Sequence, residues 1–171
     1  HGTHTSIEGD TILINPDQPA WQNPATKDWK DLRIIGRDGR RFGPLPRSWV
    51  QYLGLFHHGG QTVIHYRVGD REIHELPGRI EYGDASVLTR TMHIGPGKDD
   101  LITHLASDKN KANFHLEGSK LSSIMSENGF TCLTIKASDQ SQLLTLGFSL
   151  SDHETIASLM PSPIDPLGLT K

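Results

Sequence analysis

Between positions 50 and 150 the chain is cut into short runs whose side chains alternate between apolar and polar, each closed by a glycine-bearing or polar turn. No other feature constrains the fold as much. A period of two sends successive side chains to opposite faces of an extended strand, whereas a helix needs a period near 3.6. The runs Tyr52–His57, Gln61–Val68 and Arg71–Leu76 are separated by His58-Gly59-Gly60 and Gly69-Asp70. Such turns predict a three-stranded antiparallel meander, closed at Pro77-Gly78. Ser86–Ile94, Leu101–Ala106, Asn113–Leu116, Phe130–Ala137 and Gln142–Leu150 extend the series. In the last of these, Leu144, Leu146, Phe148 and Leu150 fall on one face. Helical spacing is confined to Ser119–Glu127 and Asp152–Leu159, with Asp152 as a candidate N-cap for the second. The expected fold class is all-β: an antiparallel β-sandwich with one or two short helices.

Residues 1–47 break this pattern. Pro16, Pro19, Pro24, Pro44 and Pro46 remove ladder donors and favour extended, loop-like chain, so this part reads as a Pro-rich irregular N-terminal arm. Trp21 and Trp29 lie within it and are expected to pin it to the core. The reading is one sandwich domain over residues 1–160, made of the arm (1–47) and a strand-rich core (48–150), with a linker or tail over 161–171.

Charge and cysteine content narrow the function. Lys and Arg number 17 against 20 Asp and Glu, a net charge of −3, with no cationic cluster for a phosphate backbone, so no nucleic-acid partner is expected. The single Cys132 excludes an internal disulfide, a haem-attachment motif and a Cys-rich zinc site, and its apolar strand suits a buried thiol. No apolar run is long enough to span a bilayer, so no membrane insertion is expected.

Ten histidines are the compositional oddity. His1 and His4 open the chain, His57 and His58 are adjacent, and His65 and His74 follow on the next two strands. Imidazole is the commonest protein ligand for copper and zinc, and side chains on one face of neighbouring strands can converge. The candidate metal ligands are therefore His1, His4, His57 and His58, with copper or zinc as the metal. If His1 carries a free amine, its amine and ring would form half of a histidine brace, as in copper monooxygenases. The alternative is surface or hydrogen-bonding histidine. Arg90 lies between Leu88 and Met92 on an otherwise apolar strand face. It either binds an anionic ligand or pairs with Glu72, Glu75 or Glu81. Trp49, Tyr52 and Tyr66 flank the meander with Phe56, and Tyr52 and Phe56 share strand parity. They form either an aromatic strip for sugar rings or part of the core. The candidate ligand-binding residues are thus Trp49, Tyr52, Tyr66 and Arg90. No nucleophile motif or selected carboxylate pair marks a catalytic centre.

The stretch Gly43-Pro44-Leu45-Pro46, Trp49, Tyr52, Gly54-Leu55-Phe56 and His58-Gly59, followed by Val63-Ile64, Tyr66 and Val68-Gly69, is distinctive. It resembles an uncharacterised domain family of exported proteins from aquatic bacteria. There the domain stands ahead of a sorbosone-dehydrogenase-like β-propeller and a c-type cytochrome domain. His1-Gly2-Thr3-His4, Leu88-Thr89-Arg90-Thr91, Ile94-Gly95-Pro96 and the closing Asp165–Lys171 also resemble it, while His57 and residues 107–128 depart from it. The resemblance implies an extracytoplasmic, bacterial, all-β module of a larger redox protein. The expected function is a non-catalytic accessory or binding module of an exported redox or carbohydrate-active protein, docking a neighbouring domain or a glycan. The alternative is a copper or other metal-binding enzyme domain built on the histidines.

Overall fold

The structure is a computed structural model that describes residues 18–83, 85–109 and 111–170. The strands are β1 (Ile34–Ile35), β2 (Arg41–Phe42), β3 (Val50–His58), β4 (Gln61–Val68), β5 (Arg71–Tyr82) and β6 (Ala85–Ile94). They continue with β7 (Leu101–Ser107), β8 (Asn113–Gly118), β9 (Ser122–Glu127), β10 (Phe130–Ile135) and β11 (Gln142–Ser149). One helix, α1 (His153–Leu159), and a 3-10 turn (Pro166–Leu169) follow.

The strands form a six-stranded sheet in the order β3-β4-β5-β6-β11-β8, a three-stranded sheet β7-β10-β9, and the small ribbon β1-β2. The pairings are antiparallel. Alternation decides the packing. From the large sheet Tyr66, Val68, Ile73, Met92, Ile94, Leu144 and Leu146 meet Leu101, Leu105, Leu133 and Ile135 of the small one, and this shared core makes the fold sandwich-like. Arg71, fully buried at one rim, ties the layers: its Nε donates to the Gly95 carbonyl and its Nη1 to the Lys136 carbonyl, each at 3.0 Å.

Two segments cover the outer faces. The arm runs along the β7 edge, where the His104 amide donates to Ala20 O and the Gln22 amide to Ile102 O, both at 2.8 Å. Trp21 is buried there with its ring 6.2 Å from that of Tyr66, and Trp29 stacks on His104 at 3.4 Å. Residues beyond β11 cross the back of the large sheet. Asp152 caps α1, its Oδ1 accepting from the Thr155 amide at 2.9 Å, and Ile156 is fully buried. This cover explains why Val63, Val87, Thr145 and Ser149 are buried on the face turned away from the core.

Two expectations are corrected. Ser119–Glu127 is not helical: Ser122–Glu127 is β9, paired along its whole length with β10. Asn128 (φ 52°) and Gly129 (φ 82°) supply the two left-handed residues that a tight hairpin requires, and the pairing overrides the weak helical spacing. Pro77-Gly78 does not end the third strand, because β5 runs on to Tyr82. It can, because β4 pairs with β5 only as far as Ile64–Glu75. Pro77 then lies beyond the β4 ladder, where its missing N–H costs no bond.

Candidate functional site

Strand register sorts the candidate residues. Tyr66 pairs with Ile73 and Tyr52 pairs with Tyr66, so all three face the core side of the sheet. Tyr66 is buried, and its hydroxyl donates to Glu75 Oε2 at 2.7 Å. Arg90, on the same face, clasps Glu75 through both prongs, Nε to Oε1 at 2.7 Å and Nη2 to Oε2 at 2.9 Å. The inward arginine thus meets one of the three glutamates considered from sequence. Burial alone would raise the Glu75 carboxyl, yet the Arg90 charge and the bonds from Arg90 and Tyr66 hold it below its ordinary value. The triad is internally satisfied, with the Glu75–Arg90 pair ionised and the Tyr66 phenol neutral.

Trp49 is fully buried just ahead of β3, where its carbonyl accepts from the Gly69 amide at 2.9 Å. The shared face expected for Tyr52 and Phe56 is corrected. A bulge between Tyr52 and Gly54 inserts Leu53, so Tyr52 sits opposite Tyr66 while Phe56 sits opposite Val63. Those partners lie three positions apart on β4 and point to opposite faces, because one extra residue inverts the alternation. The aromatics therefore do not form one strip.

Among the candidate metal ligands, His1 and His4 lie outside the described residues. His57 Nδ1 is in hydrogen-bond contact with Thr62 Oγ1 at 2.9 Å, and His58 is the next residue along β3, so the two point to opposite faces. Among the described residues, no three His, Cys, Asp or Glu side chains sit together so as to hold a metal ion. The histidines that do meet are His65, His74 and His93, a cross-strand row over β4, β5 and β6. The His65 and His74 rings stack at 4.0 Å, and His93 meets His74 edge-on at 6.5 Å. Glu72 flanks the row at His65 (3.3 Å) and Asp165 flanks it at His93 (3.1 Å). Burial, and then the charges of its two histidine neighbours, push His74 below its usual range. His93 stands well beyond His74 in the sequence, with no spacing that links it to the other two. Only the β5–β6 register, over a Pro77-containing strand, aligns it with the other two.

The strongest surface feature is the β3 edge. Of the other edges, β7 is covered by the arm and β8 is contacted by α1, while β9 is a second open edge, shorter and richer in serine, with Met125 exposed on it. Among the described residues β3 pairs only with β4, and it presents Tyr52 (63 % exposed), Leu53 and Leu55 (48 %). Beside it Pro44, Leu45, Arg47, Val50, Gln51 and Tyr52 line a hollow of ≈ 270 Å³. Tyr52 belongs to both, so strip and hollow are continuous. An unpaired backbone edge with apolar side chains is a template for an added strand.

Residues 1–75 match the model of a family described as a domain of unknown function (DUF6797). The matched stretch holds the arm, β3, β4 and the start of β5, and so the whole edge site; the resembling stretches at 88–96 and 165–171 lie beyond it. No curated protein and no solved structure matches the chain.

Proposed function

We propose that this chain is a non-catalytic accessory module of an exported bacterial protein, and that it docks a neighbouring protein domain along the open β3 edge. The observation that carries the reading is a strand paired on one side only among the described residues, bearing an apolar strip, Tyr52, Leu53 and Leu55, next to the Pro44–Tyr52 hollow. Strand addition supplies main-chain hydrogen bonds for affinity, and a hollow beside the edge selects one side chain of the incoming strand. The Glu75–Arg90–Tyr66 triad consumes its own hydrogen-bonding capacity, which suits a structural role better than ligand capture. The exported setting and the propeller neighbour come from the family resemblance and belong to the proposal.

The test is calorimetric titration of the chain with the β-propeller domain that the resemblance places beside it, and separately with soluble glycans. Binding to the propeller that weakens at least about tenfold in the Tyr52→Lys/Leu55→Lys variant supports the reading. Absence of binding to the propeller overturns it. A Tyr52-dependent glycan signal in its place would transfer the edge to a carbohydrate ligand.

A further inference from the structure

The ribbon β1-β2 stands apart from both sheets. Ile34 pairs with Phe42 and Ile35 with Arg41, and among the described residues neither strand joins another sheet. A two-stranded hairpin is marginal in water by itself. Its own side chains brace this one. Arg33 Nη2 donates to Asp31 Oδ2 at 2.7 Å, Arg41 Nη1 donates to the Asp31 and Arg33 carbonyls at 2.8 and 3.1 Å, and the Phe42 ring closes over Gly36. Its apolar side chains remain in water: Ile34 is 77 % exposed, Ile35 60 % and Phe42 49 %, and Leu32 just ahead of the ribbon is exposed too. Ile34 and Phe42, as cross-strand partners, share one face, and Ile35 projects from the other.

Charge is segregated onto the same segment. Residues 30–47 carry six cationic and two acidic side chains, a net of +4, in a chain whose total is −3; the remainder therefore stands at −7. Arg37 occupies the tip, between Gly36 and Gly39, whose backbones close the turn at 3.1 Å.

We propose that the Leu32–Phe42 hairpin is a membrane-contacting wedge, seated in the headgroup layer of an anionic lipid leaflet. A flat protein surface covers one face of a ribbon and leaves the isoleucine on the other face in water. Shallow immersion covers both, and interfacial elements bury their apolar side to about 5–10 Å. Arg37 at the tip then meets lipid phosphates, which its planar donor fork suits, while Arg33, Arg40 and Arg41 stay engaged with Asp31 and Asp38. No helix among the described residues is long and apolar enough to cross a membrane, so the contact is interfacial. The inference uses residues other than the β3 strip and stands whether or not that edge binds a domain.

The experiment is co-sedimentation of the chain with vesicles of phosphatidylglycerol and phosphatidylcholine, and with phosphatidylcholine alone, at low ionic strength. The expected result is binding to the anionic vesicles only. Affinity should fall at least about tenfold in Ile34→Asp/Ile35→Asp and in Arg37→Glu, and most binding should be lost near 1 M salt, where the screening length is about 3 Å. The hairpin lies outside the core, so the variants should keep the near-ultraviolet dichroism of the unaltered chain. Three results overturn the proposal: no binding to anionic vesicles, binding indifferent to these substitutions, or a concentration-dependent dimer that the substitutions abolish, which would make a second copy the cover.

Discussion

Glu75 and Arg90 show what register adds at the scale of single residues. Alternation between Leu88 and Met92 already turns Arg90 inward. The choice among Glu72, Glu75 and Glu81 needed the β5–β6 ladder, which sets Arg90 opposite Pro77 and so diagonal to Glu75 on the same face. Arg90→Met leaves a buried carboxylate without its cation and should cost about 3–5 kcal/mol in urea unfolding; Arg90→Met/Glu75→Met should recover most of that loss. His104 makes a second residue-scale case. It is buried between Trp29 and Phe130, and burial pushes its pKa down to about 4. The unfolded chain, with an imidazole near 6.5, binds more protons as pH falls below that value. Stability present above about pH 6.5 is therefore lost progressively down to about pH 4, roughly 2 kcal/mol of it between about pH 7 and pH 5. His74, shifted in the same direction, adds to this slope. Thermal melts across that range should show a shallower decline for His104→Phe than for the unaltered chain.

At the scale of elements, the turns decided more than the strands. His58-Gly59-Gly60 and Gly69-Asp70 made the β3-β4-β5 meander legible in advance, because glycines with positive φ close tight hairpins: Gly59, Gly60 and Gly69 have φ of 55°, 80° and 58°. The Asn128-Gly129 turn carries the same signal, yet helical spacing in Ser119–Glu127 concealed it. The back of β11 is another element whose partner was hidden. Gly147 has no side chain where the Met160 thioether comes to rest, and a β-carbon there would also approach Val87 Cγ1 at 3.2 Å. Gly147→Val should force the segment after β11 off the sheet, with a loss of about 1–3 kcal/mol. Limited proteolysis should cut within residues 150–160 sooner than in the unaltered chain, and amide exchange in α1 should quicken while the small sheet stays protected.

For the whole molecule, the decisive contacts join parts distant in sequence. Arg71 holds the Gly95 and Lys136 carbonyls together at one rim of the sandwich, and burial lowers its pKa from the usual guanidinium value. Arg71→Met removes the donor to the Gly95 carbonyl, while the Lys136 carbonyl keeps its bond from Gln142 Nε2 at 2.7 Å, and should cost about 1–3 kcal/mol, read as an earlier midpoint in a single cooperative unfolding transition. The strand-rich class, the positions of most strands, the pinning tryptophans of the arm and the Asp152 cap were legible in the residues alone. Each follows from local rules: alternation of side chains, glycine at positive φ, and an oxygen beside a free helix amide. Tertiary pairing had to decide that Leu53 bulges and parts Tyr52 from Phe56, that three histidines line up across β4, β5 and β6, and that the apolar β3 edge stays open among the described residues. The physical reason is that these outcomes depend on register and on which segments cover which faces, and a single slipped residue reverses every side chain beyond it.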